Sequence, residues 1–151
     1  MTGTNEPPAF GPARNAALAK RLGYTAQKRC GINKDYWVLL DPQGKVCATS
    51  SAGEDAVFRT KGKPLPSGVP DYCGSDADCF GLLAELVRVN EFYIQFYDEG
   101  HGKTCEIQDC PPHDGPVNHT SNLPNKREAL RDAITAAAWQ ALTAKKEAEN
   151  E

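Results

Sequence analysis

Residues 70–83 read "PDYCGSDADCFGLL". Two cysteines, three aspartates and a serine fall within fourteen residues, and then the chain turns apolar. The stretch is a metal loop, a redox pair or the start of a helix. Ser75 and Asp78 have the S-x-x-D spacing of a capping box, in which a hydroxyl accepts a backbone N–H from the first turn. Asp76 and Asp78 also suit the positive end of a helix dipole. Cys79, Phe80, Leu83, Leu86 and Val87 then recur at steps of three and four. That is the apolar stripe of an amphipathic helix, expected over residues 76–88. A calcium loop needs alternating oxygen ligands and a distant glutamate, and this pattern breaks at once into apolar residues. Two cysteines six apart are not a CxxC redox motif. The acidic residues are therefore read as capping, with Cys79 in the core.

The segments on either side of this helix read as β-hairpins. Upstream, "YWVLLDPQGKVCATS" (36–50) gives an apolar run, a turn over "DPQGK" and a return strand over 45–50. Downstream, Phe92, Ile94 and Phe96 alternate with Tyr93, Gln95 and Tyr97, the period of a strand. "DEGHG" makes the turn and residues 104–108 return. "GHGKT" within it opens no helix and is read as a turn. A first helix is expected from Pro12 to about Leu22, stopped by Gly23. A last one runs over 126–144, with Asn125 and Glu128 repeating the capping spacing and Leu130, Ile134, Ala137, Ala138, Ala141 and Leu142 on its inner face. Residues 51–70 and 110–124 read as long loops, with a short strand at 56–60. Helix, hairpin, helix, hairpin, helix makes an α+β fold, an antiparallel sheet sandwiched by helices. It is expected as a single domain over 12–144, between a disordered lead (1–11) and a charged tail (145–151).

Length and composition are ordinary for a globular domain: 151 residues, 40% hydrophobic, 25% charged. Lys and Arg number 17 against 20 Asp and Glu, a formal charge of -3 without like-charge blocks. This is not the basic footprint of a duplex-nucleic-acid binder. No apolar run is long enough to span a membrane. The N-terminus lacks a basic start followed by an apolar stretch, so the protein is expected in the cytoplasm. Its six cysteines are accordingly read as mostly reduced.

The ordered motifs "ARNAALAKRLGY" (13–24), "PDYCGSDADCFGLLAELV" (70–87), "EFYIQFYDEG" (91–100) with "TCEIQ" (104–108), and "DAITAAAWQAL" (132–142) resemble the phage ABA sandwich domain family of small phage and prophage proteins. The chain departs from that pattern where Ser-Thr-Asp becomes Gly74-Ser75-Asp76, and where the closing-helix arginine falls on Ala136. The resemblance implies an α-β-α sandwich and a phage origin, hence the host cell cytoplasm. It does not imply an enzyme. By analogy with small phage accessory proteins, it points to counter-defence by binding: anti-CRISPR-like blocking of a host defence protein, or sequestration of a cyclic nucleotide signal.

Cys105, Cys110, His113 and His119 have ligand types suited to zinc. The spacing is looser than a zinc finger's, and a buried Cys105, a surface Cys110 and loop histidines are the preferred explanation. Cys110 and His113 could pair as nucleophile and base, although no orienting acid is identifiable. A zinc- or cysteine-dependent enzyme is the alternative reading; no cofactor is assigned. Tyr93 and Tyr97 lie on the strand face opposite Phe92, Ile94 and Phe96. Either helices cover both faces, or Tyr93 and Tyr97 offer stacking surfaces for a base, with Arg127 or Arg131 holding a phosphate. Such a ligand site would suit a homodimer interface.

Overall fold

The computed structural model describes residues 6–62, 67–89, 92–99, 102–109 and 117–149. Helix α1 spans Pro12–Leu22, α2 spans Asp76–Val89 and α3 spans Lys126–Glu149. Strands β1 (Thr25–Arg29), β2 (Tyr36–Leu40) and β3 (Val46–Ser50) form one antiparallel sheet in that order. Strands β4 (Phe92–Glu99), β5 (Gly102–Asp109) and β6 (Val117–Ser121) form a second. The fold is therefore α+β, with helices packed on antiparallel sheets as expected, and the sheet is divided in two.

The helix boundaries follow local rules. Pro12 opens α1, where its missing N–H costs nothing. Gly23 closes it at φ 108°, a left-handed conformation that L side chains rarely adopt, and its N–H donates back to Lys20 O at 3.3 Å. Ser75 Oγ accepts the Asp78 N–H at 3.2 Å, and Asn125 Oδ1 accepts the Glu128 N–H at 3.0 Å, so both capping residues act as read. In the β2–β3 turn, Asp41 Oδ1 accepts the N–H groups of Gln43 and Lys45, each at 2.9 Å. On α2 the buried stripe is Cys79, Leu82 and Leu86, flanked by a half-buried Leu83. Phe80, placed on that stripe by its spacing, is exposed.

Two apolar clusters hold these elements. The larger joins α1, α2 and the second sheet to α3 through Leu18, Leu82, Leu86, Cys105, Ile107 and Ile134. Residues 133–138 of α3 are buried without a break. A helix buried on all sides must be central, and Ala133, Ala136, Ala137 and Ala138 allow that because their small side chains let neighbours approach closely. The smaller cluster lies between α1 and the first sheet: Ala19, Leu39, Ala48, Val57, Phe58 and Val69.

Several segments differ from the sequence expectation. β1 is a strand of polar, mostly exposed residues on a sheet edge, so it has no apolar alternation to reveal it. Residues 56–60 are not a strand: Asp55–Phe58 is a 3-10 turn whose consecutive Val57 and Phe58 are both buried, which strand alternation forbids. Thr60 then makes a single parallel bridge to Val69. Gly68 sits there at φ 142°, and a Cβ on it would meet Arg59 O at 2.2 Å, so the approach requires glycine. The expected loop at 110–124 contains β6, whose Val117–Ser121 pairs with β5. Backbone helix continues to Glu149, into the stretch expected as a tail. Within the expected lead, Pro8 O accepts the Arg14 Nε–H at 2.9 Å, and the guanidinium lies 5.4 Å from the Phe10 ring centre.

Candidate functional site

The end of the β4–β5 hairpin and the first turns of α3 enclose a groove of about 420 Å³. Its lining is Phe96, Tyr97, Lys103, Lys126, Arg127 and Leu130. Strand pairing places these groups. Phe96 lies opposite Cys105, and directly paired residues project to one face; Lys103, two residues before Cys105 on β5, projects to that face as well. Cys105 is buried toward α3, so Phe96 and Lys103 share the helix-facing side. Phe96 was expected in the core with Phe92 and Ile94, yet it is 47% exposed. It lines the groove together with Lys126, Arg127 and Leu130 from the first turns of α3. Tyr97 is 42% exposed, and its hydroxyl donates to Gln95 Oε1 at 2.5 Å.

Of the four expected ligand residues, Tyr97 and Arg127 meet in this groove. Arg127 is 82% exposed, with Asp76 Oδ2 3.8 Å from Nη1. Arg131 points elsewhere. Its Nε–H donates to Cys73 O at 2.7 Å and its Nη1 to Asp76 Oδ1 at 2.5 Å, which clamps the entry of α2 onto α3. The Tyr93 side chain lies outside the described residues. Sequence reasoning missed Phe96, Lys103, Lys126 and Leu130 as groove residues. Only the pairing of β4 with β5 and the docking of α3 bring them together.

The groove joins aromatic and aliphatic surface to three cationic side chains. No carboxylate, histidine or cysteine lines it among the described residues. That combination suits an anion that carries a flat apolar ring.

The zinc and cysteine candidates are placed only in part. Cys105 and His119 are paired across β5 and β6, while Cys110 and His113 lie outside the described residues. Among the described residues no group of three or more histidine, cysteine or acidic side chains could hold a metal ion. Burial pushes the Cys79 and Cys105 thiols up to about 12, which leaves them protonated and weakly nucleophilic at neutral pH.

His119 belongs instead to a polar junction between α1, β6 and α3. Its Nε2 lies 3.5 Å from Asp132 Oδ2. Arg14 Nη1 donates to Asp132 Oδ1 at 2.6 Å and to Thr135 Oγ1 at 3.0 Å. Burial alone would raise the Asp132 carboxyl, but hydrogen bonds from His119, Ser121 and Arg14, with the Arg14 charge, hold it far below the ordinary range. Arg14 is 5% exposed. This junction ties α1 and β6 to α3, and its groups satisfy one another.

Among the described residues no helix is long and apolar enough to cross a membrane. No family model, curated protein or solved structure matches this chain, so the geometry of the groove must carry the functional reading.

Proposed function

We propose that this chain is a phage accessory protein that works by binding, without turnover, and that its groove sequesters a cyclic nucleotide signal of a host defence. The observation that carries this reading is the meeting of Phe96 and Tyr97 with Lys103, Lys126 and Arg127 around one space of about 420 Å³. A base stacks on an aromatic surface with little regard to sequence, and a phosphodiester seeks lysine and arginine. The lining supports retention more than chemistry, since among the described residues no carboxylate, histidine or cysteine lines the groove.

Native mass spectrometry with a panel of cyclic mono- and dinucleotides tests it. The expected result is a mass shift from one nucleotide, which is recovered unchanged on denaturation. Calorimetry should then show affinity falling about tenfold or more in Arg127→Ala and in Phe96→Ala. A nucleotide recovered cleaved would overturn the non-enzymatic part. Absence of any retained nucleotide would overturn the ligand.

A further inference from the structure

Strand β1 forms one edge of the first sheet. All of its residues pair with β2, from Thr25 with Leu40 to Arg29 with Tyr36. In an antiparallel pair, about half of the backbone groups of an edge strand face away from the neighbour. Among the described residues no further strand and no loop backbone bonds to those groups of β1. Thr25, Gln27, Lys28 and Arg29 are exposed. Residues 30–35, which lead on to β2, are exposed as well, and Ile32 is wholly so.

Proteins commonly guard an open edge with a proline, a bulge or a lysine. β1 has no proline, and its pairing with β2 runs without a register shift. Its lysine is engaged elsewhere: Lys28 Nζ lies 3.4 Å from Asp35 Oδ2. The edge is therefore open to a further strand.

Charge marks one end of it. The segment 25–35 holds Lys28, Arg29 and Lys34 against the single carboxylate of Asp35, in a chain of net charge -3. Arg29 Nε–H donates to Gln27 Oε1 at 3.2 Å, a neutral partner that leaves the guanidinium charge uncompensated. Among the described residues no carboxylate pairs with Arg29 or Lys34. The other end is apolar. Ala26 lies opposite Leu39 and packs against the smaller cluster. None of these residues lines the groove.

We propose that β1 is a docking edge for an extended acidic segment of a partner protein, which adds to the first sheet as a fourth strand. Main-chain hydrogen bonds would hold it, and side chains would set its register. In the antiparallel arrangement its carboxylates face Arg29 and Lys34, and an apolar residue opposite Ala26 extends the smaller cluster. A second copy of this chain fits the edge less well, because β1 carries no carboxylate to meet its own cations.

The test titrates the isotope-labelled full chain with the capped peptide Glu-Asp-Glu-Thr-Thr-Val-Thr at low salt, followed by backbone NMR. Saturable binding is expected below about 1 mM, with the largest shifts and slowed amide exchange in residues 25–29. Two control peptides should each bind at least about tenfold more weakly: one with lysine for the acidic residues, the other N-methylated at alternate backbone positions. Arg29→Glu should reverse the preference between the acidic and lysine peptides while its melting temperature matches the parent. Should that variant not fold, Lys34→Glu carries the same comparison. The proposal is overturned if the acidic peptide does not bind, or if the N-methylated peptide binds as tightly, which would reduce the contact to charge alone. Shifts centred on Lys126 and Arg127 would overturn it too, as would protection of β1 amides at high protein concentration without peptide, the mark of a self-interface.

Discussion

Arg127 and Arg131 stand one turn apart on α3, and both approach Asp76, yet they belong to different regions of the molecule. Arg131 is only 13% exposed and spends its hydrogen bonds on Cys73 O and Asp76. Arg127 is 82% exposed and faces the groove with a long 3.8 Å contact to the same aspartate. From Arg131 onward, α3 uses its polar groups to hold helices and strands together. Its first turn leaves cations at the rim of a cavity. A charge is structural where its neighbours have removed water and supplied hydrogen bonds, and it is available to a ligand where they have not.

The sharpest way to break this contrast is Asp132→Ala. It leaves the Arg14 guanidinium buried without its carboxylate, and urea unfolding should show a loss of about 3–5 kcal/mol. The same carboxyl predicts a dependence on acid. Its folded value lies below the unfolded one, so its contribution is complete above the ordinary carboxylate value of about 3.9 and is lost as pH falls toward the folded value. Unfolding curves below pH 4 should therefore fall more steeply for the parent than for Asp132→Asn.

Arg131→Ala comes next, with about 1–3 kcal/mol lost as the Cys73 carbonyl and Asp76 lose their donor. Arg131→Lys should recover only part, because an ammonium cannot reproduce the two-pronged contact. Thr143 sharpens the comparison from the other side. It is buried on α3 and its hydroxyl finds no hydrogen-bond partner among the described residues. Thr143→Val should raise stability by about 1 kcal/mol in the same assay. The smallest effect on folding belongs to Arg127→Ala, within about 0.5 kcal/mol, although it should cost the groove much of its affinity for anions. A loss of several kcal/mol in that variant would erase the distinction between the two arginines.

What could be read from the chain follows how local each cause is. Ser75 and Asn125 announce their helices because a cap is a three-residue event. The β2–β3 hairpin is legible through its apolar run and Asp41 turn. β1 and β6 are not, since "TAQKR" and "VNHTS" take their strand character from partners rather than from their own residues. The all-round burial of α3 hides behind alanine, which favours helix but points to no face. Arg14 looks like an ordinary charge at the start of a helix until Asp132 is found beside it. In the groove, Tyr97 and Arg127 could be named from aromatic alternation and helix charge. Phe96 and Lys103 became visible only when β4 and β5 were paired and α3 was laid across their end.

The contact between Arg14 and Asp132 closes a loop of 118 residues, and synthesis makes that distance a delay. At about 5–20 residues per second, on the order of ten seconds separates the two side chains at the ribosome. The smaller cluster, complete by Val69, can close around Ala19 and Leu39 in the meantime. The larger one lacks Ile134 and its alanines until α3 has been made. Through that interval Arg14 stays hydrated and keeps one side of α1 in solvent. The nascent chain thus carries a half-built molecule whose last helix, once released, must displace water from a waiting cation.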